Sequence, residues 1–109
     1  YVHAKEAGDL VFLSGVGPRH PVTDEIPVGI EAQTHAVFGN VLAILEAADL
    51  NMSNVIDIMV FLTDMKNDFK IFNNIYSDYL DGFEATRTTV EVGSLPTPIS
   101  VEFKVVAKK

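Results

Sequence analysis

Apolar and polar positions divide the chain into segments of regular periodicity. Short apolar runs over 10–14 and 55–63 are typical of buried strands, because turn-forming residues bound the first and β-branched residues are frequent in the second. Residues 30–48 carry apolar side chains at three- and four-residue steps, which predicts an amphipathic helix of about five turns. A second apolar stripe between Phe69 and Leu80 predicts another helix, with Asn67 or Asp68 accepting from the free amides of its first turn.

The last part of the chain contains two alternating runs, 86–92 and 100–107, joined by a segment rich in Gly and Pro. These runs predict a β-hairpin with a stiffened loop. An edge strand is expected at 2–6, and the polar, proline-containing segment 17–27 is expected to be an exposed loop at the rim of a site. The order of elements predicts one domain over 1–109, an α+β two-layer sandwich with both helices on one face of a single sheet.

Alternation within the predicted hairpin assigns its side chains to two faces. The apolar side chains, Val90 and Val92 among them, are expected beneath the helices. The opposite face then receives Arg87, Thr89, Glu102 and Lys104. With the loop centred near residues 94 and 95, Arg87 is expected directly across from Glu102. Such a pair is either a solvent-facing ion pair worth ~0–1 kcal/mol, or a site in which Arg87 binds a small carboxylate and Glu102 holds a water. Spacing alone leaves both interpretations open.

Composition narrows the class of protein. The chain has 109 residues, 48% of them hydrophobic and 21% charged, as expected for one globular domain. Its net charge of −7 disfavours nucleic acid as a partner. The absence of cysteine excludes disulfides and thiolate nucleophiles and favours a cytoplasmic protein. No run approaches the ~20 apolar residues of a membrane span, and the mean hydropathy of +0.22 in so small a domain predicts an oligomer.

Other motifs carry little chemistry. The Ser14 to Gly17 segment follows a strand, as a phosphate loop does, but it lacks the lysine and the helix that such a loop needs. A tight turn at Gly15, with backbone amides near a ligand, is the better interpretation. His3, His20 and His35 lie on three separate segments without a carboxylate at ligand spacing, so no metal site is expected. No cofactor motif is present either, so no cofactor is expected.

Several motifs together resemble the RidA/YjgF family of reactive-intermediate deaminases, also known as L-PSP endoribonucleases. The first half contributes Tyr1-Val2-His3-Ala4, Gly8 to Gly15, Gln33-Thr34, Asn40-Val41 and Ile44-Leu45. The second half contributes Val60 to Met65, Phe72 to Tyr76, Arg87 to Val92, Leu95-Pro96 and Val101 to Ala107. The resemblance covers essentially the whole chain, and its most specific part is the run from Arg87 through Leu95-Pro96 to Glu102.

The resemblance implies a chorismate-mutase-like fold with one mixed sheet, and a homotrimer with a cleft between each pair of subunits. It also implies a cofactor-independent hydrolase that converts 2-aminoacrylate and related enamine or imine acids to 2-oxo acids and ammonium. In this family the carboxylate-binding arginine corresponds to Arg87, the water-positioning glutamate to Glu102 and the cleft tyrosine to Tyr1. The implied substrate-binding residues are Ser14, Gly15, Asn73, Tyr76 and Thr89.

Two positions depart from the family pattern. Val16 stands where a glutamine is usual, and Lys104 stands where a second acidic residue is common. The Arg87 and Glu102 motifs are similar to those of the 2-aminomuconate deaminase branch, whose substrate carries two carboxylates, and Arg19 or Lys104 would suit such a dianion. The alternatives are a carboxylate-binding module without turnover, the ribonuclease of the family name, which the negative charge disfavours, and a chorismate mutase, which rests on fold alone.

Overall fold

The structure, a computed structural model, describes residues 2–109 as one mixed sheet and two long helices. The elements are β1 (Ala4–Ala7), β2 (Leu10–Leu13), α1 (Ile30–Ala47), β3 (Val55–Leu62), α2 (Met65–Leu80), β4 (Thr86–Glu91) and β5 (Val101–Lys108). A short 3-10 helix, Met52–Asn54, precedes β3. Each segment with a predicted helical or strand period therefore forms that element, with its ends moved by a few residues.

The start of α2 differs from the prediction. Asp64 caps this helix, because its Oδ1 accepts from the backbone amide of Asn67 at 3.3 Å and its Oδ2 from the side-chain amide of Asn67 at 2.8 Å. The expectation that Asn67 or Asp68 would be the cap is wrong, since both already lie inside the helix. The first turn contains Lys66 as well as these polar residues, so the apolar stripe starts one turn after the helix does.

The sheet has the strand order β1-β2-β5-β3-β4. β4 pairs with β3 in parallel, whereas the other neighbours pair antiparallel. The predicted hairpin between the last two strands is therefore wrong, because β3 lies between β4 and β5. At the end of β3, the amide of Val92 donates to the carbonyl of Leu62 at 2.9 Å and the amide of Thr63 donates to the carbonyl of Ser100 at 3.2 Å. The Gly- and Pro-rich connection thus crosses the end of β3 and does not turn back on β4.

Both helices pack on one face of this sheet, which confirms the α+β two-layer prediction and the mixed sheet. Burial along β5 alternates strictly from Val101 to Ala107, as expected for a strand with one face in the core. The core between the layers consists of Val11, Leu13, Val37, Phe38, Val41, Leu45, Ile58, Val60, Leu62, Phe72, Tyr76, Val101, Phe103, Val105 and Ala107. Neither helix of the described residues is long and apolar enough to cross a membrane.

The strand register corrects the predicted faces. Arg87 is paired with Ile58, and Thr89 with Val60, so both side chains are on the helix-covered face. Glu102 is paired with Phe61, and Lys104 with Met59, whose side chains are on the other face. The expectation that Arg87, Thr89, Glu102 and Lys104 share a face is therefore wrong. The expected cross-strand pair of Arg87 and Glu102 is wrong for the same reason.

The face of the sheet without helices, called here the open face, carries exposed apolar side chains beside the charged Glu102 and Lys104. Phe12 is 38% exposed, and Met59 and Val90 are each 37% exposed. Val90 was expected beneath the helices, but the register with Phe61 places it on the open face. Large apolar side chains exposed on a sheet face are typical of a surface that another protein chain covers.

Candidate active site

Arg87 projects from β4 toward α2 and is held there by side chains of that helix. Its Nη1 donates to Oδ1 of Asn73 at 2.7 Å. Its Cζ lies 4.6 Å from the ring centroid of Tyr76 and 5.9 Å from that of Phe69. No carboxylate of the described residues forms an ion pair with it. The guanidinium is therefore fixed by one amide and two rings, while its other donors remain available to an anion.

The three α2 residues that hold Arg87 share one face of the helix. Phe69, Asn73 and Tyr76 follow one another at four- and three-residue steps, which brings their side chains into one row. Tyr76 is 7% exposed, and its hydroxyl has no hydrogen-bond partner among the described residues. Burial raises the pKa of Tyr76, Arg87 opposes that rise and Asp57 adds to it. Tyr76 is therefore a neutral phenol at physiological pH, with its ring beneath the guanidinium.

A cavity of about 670 Å³ adjoins Arg87, and we call it the arginine pocket. It is lined by Met65, Lys66, Phe69, Lys70, Arg87 and Thr89. The Oγ1 of Thr89 is buried and has no partner among residues 2–109. The pocket thus combines three cationic side chains with one unsatisfied hydroxyl, a combination suited to an anionic ligand.

Glu102 lies on the open face beside the end of β2. Burial raises the pKa of its carboxyl group above the ordinary value. A Cβ on Gly15 would lie 2.8 Å from Oε2 of Glu102, so only glycine permits this close approach. Lys104 stands two residues along β5 on the same face, and its Nζ donates to the carbonyl of Leu13.

Ser14 follows β2, next to Gly15, and bonds to the segment that precedes β1. Its hydroxyl donates to the carbonyl of Val2, and its amide donates to the carbonyl of His3 at 2.9 Å. The backbone then continues through Val16, whose amide and carbonyl both bond to Phe103. We call Ser14, Gly15 and Glu102 the glutamate corner. Its parts are fixed by backbone pairing on both sides of Gly15.

The predicted site residues therefore fall into two groups on opposite faces of the sheet. Arg87, Asn73, Tyr76 and Thr89 meet at the arginine pocket, and Ser14 and Gly15 meet Glu102 at the glutamate corner. Tyr1 lies outside the described residues. Lys66 and Lys70 were not predicted for the site, because a lysine on a helix surface gives no signal until the pocket beside it is known.

The loop before α1 borders a second cavity, of about 610 Å³. The cavity lies between this loop and α1, and Gly15, Arg19, Asn40 and Ile44 are among its lining residues. The side-chain amide of Asn40 donates to the carbonyls of Gly17 and Arg19, both at 2.9 Å, and so fixes the loop to the helix. Neither Arg19 nor Lys104 lines the arginine pocket of its own chain. Among the described residues, no cluster of three His, Asp or Glu side chains could hold a metal ion.

Comparisons with known proteins find similar sequences and a similar fold. The family model Endoribonuclease L-PSP matches residues 1–109. A RutC family protein of Pyrococcus horikoshii is 40% identical over 110 residues, which cover 100% of this chain and 86% of the relative. The 2-iminobutanoate/2-iminopropanoate deaminase of Escherichia coli is 34% identical over 110 residues, covering 98% and 85%. The crystal structure of E. coli TdcF with bound serine has a TM-score of 0.94 and 36% identity, covering 100% of this chain and 87% of that one.

Proposed function

Because the chain belongs to the endoribonuclease L-PSP family, also called RidA/YjgF, we propose that it is an enamine/imine deaminase. Its substrates are acids of the 2-aminoacrylate type, which tautomerise to 2-imino acids. Its products are the corresponding 2-oxo acid and ammonium. Relatives that are named as deaminases and a structural neighbour with bound serine support this proposal.

Arg87 binds the substrate carboxylate in this proposal. Its planar fork can donate two parallel hydrogen bonds to a carboxylate, and Asn73 and Tyr76 keep the fork in one orientation. The Thr89 hydroxyl, buried without a partner, can donate to the same group. Holding the carboxylate in this way fixes the adjacent imine carbon in the cleft, which makes the attack of water effectively intramolecular.

Glu102 positions the attacking water and accepts its proton. Its raised pKa makes it a stronger base than an exposed glutamate once it is ionised. The water oxygen forms a bond to the carbon of the protonated imine and gives a carbinolamine, and Glu102 then returns the proton to the carbinolamine nitrogen. The C–N bond breaks and ammonia leaves, and the hydroxyl proton passes by way of Glu102 to the ammonia, which gives ammonium and the 2-oxo acid. Each step uses only proton transfer and orientation, which these side chains can supply without a cofactor.

The reacting groups must come from two subunits. Arg87 and Glu102 lie on opposite faces of one sheet, so a single chain cannot place both on one small molecule. We infer a homotrimer in which the arginine pocket of one subunit faces the glutamate corner of its neighbour. The apolar open face supports this assembly, because contact between subunits would cover Phe12, Met59 and Val90.

The single observation that carries the proposal is the free, preoriented guanidinium of Arg87 beside an unsatisfied hydroxyl. The test is 2-oxo acid release from 2-aminoacrylate that is generated enzymatically, with wild type and Arg87→Ala compared. We expect a rate above the spontaneous one for wild type and the spontaneous rate alone for Arg87→Ala. Lys108→Ala is the matched control, since it removes a cation on β5 outside the arginine pocket. Full activity of a folded Arg87→Ala protein would contradict the assignment.

A carboxylate-binding module without turnover is the second candidate. The observation in its favour is the neighbour that holds serine, an amino acid with a carboxylate. Calorimetry with a stable 2-oxo acid distinguishes the two functions. Binding that requires Arg87, from a trimer that does not accelerate deamination of 2-aminoacrylate or 2-aminomuconate, would favour the module. The 2-aminomuconate branch itself stays a prediction, and the preferred substrate in this assay decides it.

A further inference from the structure

We propose that the arginine pocket takes substrates with two anionic groups, one bound by Arg87 and the other by Lys66 and Lys70. The inference deepens the proposed deaminase and rests on it. It names the substrate class as 2-imino or 2-enamino dicarboxylic acids. The basis is the cationic lining of the pocket, which exceeds what one carboxylate requires.

The lysines of the pocket form no ion pair with the residues that the structure describes. Among the Lys and Arg side chains of residues 2–109, only Lys108 and Lys109 form ion pairs, with Asp9 at 3.8 Å and with Glu6 at 2.7 Å. Lys66, Lys70 and Arg87 therefore bring three positive charges without an ion pair to one cavity of a chain whose net charge is −7. The carboxylate of Glu91, which accepts from the amide of Met65 at 2.9 Å, borders the pocket and offsets part of this charge. A local positive field on an acidic protein concentrates anions at that point of the surface.

Helix geometry places the two lysines in line with Arg87. Lys66, Lys70 and Asn73 follow at four- and three-residue steps on α2, so they form one row along the pocket. Asn73 at one end of this row binds Arg87 directly. Lys66 and Lys70 therefore leave α2 before Asn73, and a second anionic group beyond the carboxylate bound by Arg87 would lie beside them.

Between these cationic ends the pocket is apolar. Phe69 stands within the lysine row and also contacts the Arg87 guanidinium at 5.9 Å, while Met65 lines the cavity next to it. A short hydrocarbon segment can lie on these side chains while a carboxylate at each end meets a cation. Lys66 and Lys70 are exposed and stay hydrated beside an apolar tail, whereas a second carboxylate gains an ion pair with them, which favours the diacid.

The test compares a monocarboxylate and a dicarboxylate imine on the same enzyme. 2-Iminobutanoate and 2-iminoglutarate are generated from the corresponding amino acids by D-amino-acid oxidase and D-aspartate oxidase. Deaminase activity is measured as the loss of the semicarbazone that forms from the free imine. We expect the ratio of kcat/KM for the diacid to that for the monoacid to fall about fivefold to tenfold in Lys66→Gln/Lys70→Gln, since each exposed lysine contributes modestly. Lys108→Gln, the matched control, keeps the wild-type ratio.

Binding measurements distinguish a failure of this inference from a failure of the proposed function. Calorimetric titration with 2-oxoglutarate and 2-oxobutanoate needs no turnover, and we expect the double variant to lose affinity mainly for 2-oxoglutarate. If wild type hydrolyses imines but the double variant keeps both the kinetic ratio and the 2-oxoglutarate affinity, the dicarboxylate inference is overturned and the deaminase stands. If wild type hydrolyses neither imine, the deaminase itself is overturned, and with it the inference.

Discussion

Arg87 and Glu102 lie on opposite faces of the same sheet, separated by β3. Arg87 is paired with Ile58 on the helix-covered face, and Glu102 is paired with Phe61 on the open face. One residue binds carboxylate and the other handles water in the proposed reaction. Their separation makes the contribution of two subunits to each site a direct experimental question.

Mixed trimers of two inactive variants should recover activity. We expect Arg87→Ala and Glu102→Gln each to be inactive alone, because every cleft then lacks one group. After unfolding and refolding together in equal amounts, about a quarter of the clefts receive Arg87 from one chain and Glu102 from its neighbour, so about a quarter of wild-type activity returns. The assay is imine hydrolysis before and after mixing. No recovery, from mixed trimers shown by mass spectrometry to have formed, would place both groups in one chain.

Gly15→Ala should reduce activity without loss of the fold. The new methyl would lie 2.8 Å from Oε2 of Glu102 and must displace that carboxylate. We expect a decrease of about tenfold or more in kcat, because misplaced general bases lose most of their effect. Gly39→Ala is the matched control, since nothing lies within 4 Å of its new methyl. Gly39 is inside α1, so that variant should keep its activity and gain about 0.5–1 kcal/mol of stability. Equal kinetics for both alanine variants would contradict this role of Gly15.

Asn73→Asp should weaken substrate binding by an internal ion pair. The Oδ1 of Asn73 accepts from Arg87 at 2.7 Å, so a carboxylate at this position would hold the guanidinium with its own charge. We expect the KM for the substrate to rise about tenfold, because the new carboxylate competes with that of the substrate. Asn74→Asp adds the same charge one residue later on the exposed side of α2 and should leave KM near the wild-type value. Equal KM values in the two variants would show that Asn73 does not control the arginine.

The pH dependence should reveal the burial of Glu102. Because burial raises the pKa of this carboxyl, activity should decline toward acid at a higher pH than the titration range of an exposed glutamate. The same pKa also sets how the free energy of unfolding changes with pH. The native state keeps the proton to a higher pH than the unfolded state does, so ionisation of Glu102 lowers the free energy of unfolding as pH rises through the native pKa.

Glu102→Gln should therefore melt at a higher temperature than wild type at neutral pH. The difference should shrink as pH falls below the pKa of the unfolded chain, where wild type is protonated in both states. Melting curves at fixed protein concentration across this pH range measure it. An equal difference at every pH would mean that the carboxyl of Glu102 does not titrate abnormally.

Val90→Glu should dissociate the oligomer. Val90 is 37% exposed and lies on the open face of β4. A charge there cannot be covered by an apolar neighbour without a large desolvation cost. We expect smaller species in sedimentation velocity and loss of imine hydrolysis together. Val28→Glu is the control, because Val28 is 94% exposed and lies away from the sheet. A trimeric, active Val90→Glu protein would exclude the open face as the interface.

The sequence correctly predicts the periodicity of each strand and helix, but it does not predict which strands lie side by side in the sheet. Alternation in β5 correctly separates Glu102 and Lys104 from the core, because period two belongs to the strand itself. It cannot tell which strand lies beside β4, and the assumption of a hairpin reversed the face of Arg87. Val90 is apolar and is expected in the core for that reason. The sequence does not indicate that the other face of the sheet also carries apolar side chains.

Some of the candidate site residues can be identified from the sequence, and others only from the structure. Arg87 and Glu102 can be identified as candidates from the sequence because charged residues are unusual within apolar strands. The family resemblance adds Asn73, Tyr76 and Gly15. The close approach of Gly15 to Glu102 depends on the pairing of Val16 with Phe103, residues far apart in the chain. The first turn of α2 contains Met65 as its one apolar residue, which is too little to reveal Lys66 as a pocket residue. These features follow from three-dimensional packing and have no local signature.

The position of β4 at the sheet edge affects the order in which the two halves of the site assemble. β4 pairs only with β3, and its parallel register requires the whole of α2 to lie between the two strands in sequence. The glutamate corner, in contrast, belongs to strands that have neighbours on both sides. Arg87 therefore takes its place only where α2 is docked, because Asn73 and Tyr76 of that helix hold it. As an edge strand, like β1, β4 can open locally more easily than the central strands. A subunit in which β4 has opened would keep Glu102 beside Gly15 while its arginine pocket is disassembled.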